Sequence, residues 1–202
     1  MNVNALFSTP VGVKDIPIDT SKMLKTCLEI EKNDNRAYDS SKEEDKTIYT
    51  SHPDADAEHS GYILEHPDFS MLKSVITSEV KVFTRMVGIE SRGLELNRSW
   101  FTIQKKHSTI SQHNHRHGVI SGAFYVYADE DAAPITFASP LMSYKMNEPR
   151  SGVSGTADVN FADEYFSVAA KTGKLVLFPS WLEHYVGYNI SDCRIVISFN
   201  FS

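Results

Sequence analysis

Cysteine is nearly absent from this chain, with only Cys27 and Cys193 among 202 residues. They stand far apart, each in an apolar pattern, and read as two buried free thiols: a chain this long can bury a sufficient core without a disulfide. Free thiols suit a reducing cytosol. No apolar run approaches the roughly 20 residues of a membrane-spanning helix. The opening Met1-Asn2-Val3-Asn4-Ala5-Leu6-Phe7 lacks the basic and long apolar regions of a signal peptide. A basic excess is missing as well. Lys+Arg is 20 against 26 Asp+Glu, a net charge of −6, which argues against broad phosphate-driven nucleic-acid binding. There is no repeat and no low-complexity tract. Hydrophobic content of 41% and charged content of 23% exclude wholesale disorder, collagen and coiled coil.

The length suits one domain. Residues 1–18 read as extended, with Pro10 and Pro17 excluding helix. A short helix is predicted over 20–32, with Thr20 or Ser21 at its start and Met23, Leu24, Cys27, Leu28 and Glu31 on one face. Residues 33–60 are polar and read as a long solvated connection, with a lid over a substrate as the rival reading. A second helix is predicted over 67–87, with an apolar stripe of Leu72, Val75, Ile76, Val80, Phe83, Met86 and Val87 and Gly88 as its stop. Strands are predicted over 94–106, 119–128, 134–138, 174–178, 184–189 and 194–201, and a loop over 141–160. Helices followed by antiparallel strands point to a sandwich or barrel with supporting helices.

Histidine, by contrast, is plentiful: eight in all, three of them within Gln112-His113-Asn114-His115-Arg116-His117-Gly118. On an extended chain, residues i and i+2 face the same side, so two of these imidazoles can grip one metal ion. The alternative is a His-rich polar turn. His184 follows a buried strand that stops at Pro179 and begins the next one, far in sequence from the pair. Two close ligands and one distant one form the pattern of a facial triad with open positions. Arg194 stands ten residues further on. It shares a strand face with Val196, Ser198 and Asn200, while Ile195, Ile197, Phe199 and Phe201 take the other face. A buried Arg needs an anionic partner. That partner is either a carboxylate of the protein or a small dicarboxylate ligand.

His-x-His, a distant His and an Arg ten residues beyond it resemble the Fe(II)/2-oxoglutarate-dependent oxygenase superfamily. Further stretches resemble one of its branches, the small 2OG-Fe(II) oxygenases of bacteria and phages. They are Ser8-Thr9-Pro10-Val11, Asn97-Arg98-Ser99-Trp100, Ile120-Ser121-Gly122-Ala123-Phe124-Tyr125-Val126, Leu177-Phe178-Pro179-Ser180-Trp181, and Arg194 through Asn200.

The resemblance implies a mainly β fold with supporting helices and a double-stranded β-helix (jelly-roll) core. It implies one domain over 1–202, with 1–93 as extended and helical support and 94–202 as the core. It implies Fe(II) at His113, His115 and His184, and 2-oxoglutarate with its far carboxylate on Arg194. In this branch the second ligand stands six residues before the Ser of a Ser-Gly step. Six before Ser121 is His115, which favours the His113/His115 pair and makes His117 a neighbour. Tyr125 and Tyr127 are predicted on one face of their strand, opposite Phe124 and Val126; Tyr125 is the expected phenol for the cosubstrate. The superfamily often has Ser two residues after the Arg; Val196 stands there, and Ser198 is the nearest hydroxyl on that face. Most of the superfamily has a carboxylate where His115 stands, so the iron site here is one unit more positive. Trp100 and Trp181 read as packing residues.

The implied reaction is hydroxylation coupled to 2-oxoglutarate decarboxylation, with dioxygen and a peptide (prolyl) or small-molecule substrate as partners. Cytoplasm, of the host if the chain is phage-encoded, is the expected location, and a homodimer stays open. Two rivals remain. A cupin metalloenzyme fits Gly173, Pro179 and His184, but wants Glu where Val119 and Ile120 stand. A non-catalytic jelly-roll module binding metal or ligand is the other.

Overall fold

The alternation of apolar residues along the C-terminal half and the two amphipathic stripes before it each find a place in the computed structural model. It describes residues 8–34, 47–51, 61–142 and 164–202. Two helices support the sheets, α1 (Ser21–Asn33) and α2 (Ser70–Val87). Asp19 accepts from the Ser21 backbone N–H and hydroxyl, at 2.9 and 2.6 Å, so the acid before the helix does the work expected of Thr20 or Ser21. Two 3-10 turns, Ile63–Glu65 and Pro67–Phe69, precede α2, and Gly88 ends it in the left-handed region at φ 75°. Leu72, Ile76, Val80 and Phe83 of the predicted stripe are buried, whereas Met86 is exposed.

Among the described residues, ten strands build two antiparallel sheets. They are β1 (Gly12–Asp15), β2 (Ile48–Thr50), β3 (Leu96–Gln104), β4 (Ile110–His113), β5 (Ile120–Ala128), β6 (Ile135–Ala138), β7 (Tyr165–Val168), β8 (Lys174–Pro179), β9 (His184–Val186) and β10 (Arg194–Phe201). The larger sheet has the order β1-β8-β5-β10-β3-β2 and the smaller β4-β9-β6-β7. This is the expected mainly β jelly-roll with helical support. Three strands were not foreseen. β2 lies inside the segment read as a solvated connection, where Tyr49 is buried against Phe101. β4 and β7 are short and largely exposed, so they carry little apolar signal. Residues 35–46 and 52–60 of the connection and most of the 141–160 loop, with the lid reading, lie outside the described residues.

The larger sheet buries both faces. Its outer face, with Phe101, Ile103, Phe124, Ile195, Ile197, Phe199 and Phe201, packs on α1 and α2 in one core cluster. Its inner face presents Ala123, Tyr125, Val176, Phe178 and Val196 to Ile135, Phe137 and Val168 of the smaller sheet. Burial on both faces explains why β10 is buried at seven of its eight residues. The partly exposed one is Ser198. One register shift corrects the tyrosine expectation: Ile195 pairs with Tyr127 and Val196 with Tyr125, so a bulge at Val126 breaks the alternation. Tyr125 stays on the inner face, while Tyr127 packs on the helix side.

Candidate metal centre

His113 closes β4 and His184 opens β9, and the two stand opposite each other in register. His115 lies in the turn after β4 and not on a strand with His113. Its backbone N–H donates to the Ser180 carbonyl at 2.8 Å, and Gly118 closes the turn by donating to the His115 carbonyl at 3.1 Å. The turn, and not strand alternation, therefore brings the second imidazole round. The close pair was legible, but the way it converges was not.

One ring nitrogen from each of His113, His115 and His184 lies within 4.8 Å of the others. The Nδ1 atoms of His113 and His184 face the carbonyls of Ser111 and Leu182 at 2.8 and 2.9 Å. A carbonyl only accepts, so each Nδ1 carries the proton and each Nε2 offers a lone pair. The Nε2 atoms of His115 and His184 are 3.4 Å apart. Two nitrogens bound at right angles to one ion stand about 3 Å apart, so the cluster fits a divalent cation. Burial pushes His184 down to about 4, with nearby His113 adding to the shift and the Leu182 carbonyl opposing it. His184 is thus neutral at physiological pH, as a metal ligand must be. His117 is exposed and does not join the cluster.

Aromatic rings pack on the imidazoles. Trp100, buried on β3, lies with its ring 5.5 Å from that of His115, and Phe178 sits edge-on 4.7 Å from His184. Trp100 is the packing residue expected, and it packs on the His115 imidazole. Trp181 is 54% exposed, so the packing expectation fails there. Behind the His115 turn, the Ser121 hydroxyl stands 2.8 Å from both Ser180 Oγ and Asn200 Oδ1, all three buried.

Arg194 is buried on the inner face. Its Nε donates to the Ala133 carbonyl at 3.0 Å, Nη1 to Gln104 Oε1 at 2.5 Å and Nη2 to the Tyr125 hydroxyl at 3.3 Å. The guanidinium carbon also lies 5.0 Å over the Tyr125 ring. Burial pushes its pKa down, with Tyr125 opposing, yet a guanidinium keeps its proton in proteins. All three acceptors are neutral, and among the described residues Arg194 has no carboxylate partner. Ser198 shares the inner face two residues beyond Val196, paired with Trp100 and Ala123 across the sheet. The sequence reading missed Gln104. Its only signal was an amide closing the strand, on the same face as Trp100.

A jelly-roll with three clustered imidazoles, and a buried guanidinium that has no carboxylate partner among the described residues, fits a metal-dependent enzyme of the facial-triad kind. Residues 98–200 match the family described as "Putative 2OG-Fe(II) oxygenase". The chain belongs to this 2OG-Fe(II) oxygenase family, which makes it an Fe(II)- and 2-oxoglutarate-dependent oxygenase and removes the cupin alternative. No curated protein matches it. Solved structures share the fold at low identity. The non-heme alpha ketoglutarate dependent carbocyclase SnoK from nogalamycin biosynthesis is 12% identical with TM-score 0.62, over 96% of this chain and 79% of that one. HygX from Streptomyces hygroscopicus, with nickel and 2-oxoglutarate bound, is 11% identical with TM-score 0.56, over 96% and 83%. A Pseudomonas putida prolyl-4-hydroxylase is 12% identical with TM-score 0.54, over 97% and 89%. Among the described residues no helix is long and apolar enough to cross a membrane.

Proposed function

We propose that the chain is a hydroxylase that holds Fe(II) with His113, His115 and His184 and the far carboxylate of 2-oxoglutarate with Arg194. The observation that carries this reading is the buried guanidinium with three neutral acceptors and, among the described residues, no carboxylate, on the face that leads to the imidazoles. A charge so placed calls for an external anion. Tyr125 and Ser198 are the other contacts assigned to the cosubstrate. When bound, iron and 2-oxoglutarate supply the oxidising power: with dioxygen they yield succinate, carbon dioxide and one oxygen atom inserted into a substrate C–H bond. The chain's own work is positional. The carbonyls of Ser111 and Leu182 fix two imidazoles as neutral donors, the Ser180 carbonyl anchors the backbone of His115, and the buried inner face keeps water from the guanidinium. The substrate class is peptidyl, prolyl included, or a small molecule, and similar folds carry both kinds of name. Two free thiols support a reducing, cytoplasmic setting.

The test is anaerobic titration of the Fe(II)-loaded chain with 2-oxoglutarate, read in the visible spectrum and paired with metal analysis. A charge-transfer band that grows and saturates is expected. Arg194→Ala should need about a hundredfold more 2-oxoglutarate, since charge-assisted bonds are lost, while metal content holds. Equal affinity in the variant removes Arg194 from the site. Bound metal without a band in the wild type removes 2-oxoglutarate.

A further inference from the structure

Gln104 closes β3 directly opposite Arg194 in register, and its side chain is fully buried. It fills the place where a carboxylate would neutralise the guanidinium. Its amide orientation is dictated by a chain of protons. The Ser108 hydroxyl donates to the Lys105 carbonyl at 2.7 Å, which consumes its only proton. Ser108 Oγ can therefore only accept from Gln104, and Nε2 of Gln104 faces it at 3.3 Å. That leaves Oε1 pointing at Arg194 Nη1.

Ser108 is held in turn. The 105–108 turn includes His107 in the left-handed region at φ 72°. Buried Asn189 locks the turn: its backbone N–H donates to the Ser108 carbonyl at 3.0 Å and its side-chain amide to the Lys105 carbonyl at 3.1 Å. Asn189 Oδ1 also accepts from the Ala133 N–H at 3.0 Å, the residue whose carbonyl takes Arg194 Nε. Both non-aromatic acceptors of Arg194 are thus tied to one buried amide.

We propose that Gln104 is a positioning residue that sets cosubstrate selectivity: it orients the Arg194 guanidinium with a neutral acceptor and so keeps its charge open for the far carboxylate of a 2-oxo diacid. The inference rests on the reading that Arg194 receives that carboxylate. A Glu at this position keeps the hydrogen bond but cancels the charge, which separates selectivity from mere support.

The test compares the Fe(II)-loaded wild type with Gln104→Glu, anaerobically, using 2-oxoglutarate and 2-oxovalerate, which lacks the far carboxylate. The wild type should prefer 2-oxoglutarate by about a hundredfold or more, and Gln104→Glu should cut that preference to within about tenfold, with metal binding unchanged. Gln104→Met, neutral and unable to orient the guanidinium, should weaken 2-oxoglutarate several-fold yet keep the preference. A Gln104→Glu chain as selective as the wild type overturns the role of Gln104 alone. Lost preference in Gln104→Met overturns it too, and stands in should the Glu chain not fold. A wild type without preference for the diacid overturns the reading of Arg194 and takes this inference with it.

Discussion

At the residue scale, charge state decides most of what the site can do. His184 sits below its ordinary value because burial disfavours the imidazolium. The sign follows for the metal-free chain. Below the ordinary value of 6.5 the unfolded state takes up a proton that the folded state refuses until about pH 4. Stability is therefore fully present above 6.5 and is lost as pH falls toward 4, by up to about 3 kcal/mol for this one group. Urea midpoints of the metal-free chain between pH 7 and 4.5 should fall with pH, and His184→Gln should flatten that slope. A variant with the wild-type slope would place the acid sensitivity elsewhere. Three histidines and Arg194 were legible in the sequence because the family spacing marks them. Gln104 was not, because its meaning comes from register with Arg194 across β3 and β10.

At the element scale, the Ser121-Gly122 step of β5 shows why two small residues stand in a buried strand. Ser121 faces inward to Ser180 and Asn200 behind the His115 turn. Gly122 faces outward beneath Phe199: a Cβ there would meet the Phe199 ring at 2.3 and 2.5 Å and the Val176 carbonyl at 2.8 Å. The ring belongs to the core cluster on α1 and α2 and the carbonyl is backbone, so neither yields easily. Gly122→Ala should cost about 1–3 kcal/mol, the usual penalty for overpacking, or several degrees of melting temperature at this chain length. An unchanged melting temperature would mean that Phe199 repacks freely. Helices and long strands were legible because their apolar periods run for many residues. β4 and β7 were not, since four-residue, largely exposed strands leave no period to read. The bulge at Val126 escaped for another reason: nothing local distinguishes it, and it is set by pairing with β10.

At the scale of the whole molecule, the two halves of the candidate site hang on different sheets. His113 and His184 belong to the smaller sheet, and Arg194, Gln104 and Tyr125 to the larger. The His115 turn, pinned to Ser180 just beyond β8, spans between them. On the proposed assignment, metal and cosubstrate would cross-link layers that also meet through apolar packing of Ile135, Phe137 and Val168 on Val176, Phe178 and Val196. Ligands that bind only the folded state stabilise it by about 2.7 kcal/mol at a hundred times their dissociation constant. For a chain of this size that is about 5–10 °C. Ni(II), a redox-silent stand-in for Fe(II), should raise the melting temperature by about this much, and a chelator should reverse it. 2-Oxoglutarate should add a further rise only when metal is present, because its 2-oxo acid end needs the ion while its far carboxylate goes to Arg194. A rise with 2-oxoglutarate in the metal-free chain, as large as in the loaded one, would show that the guanidinium alone captures the diacid and that the two sheets are not coupled through the metal.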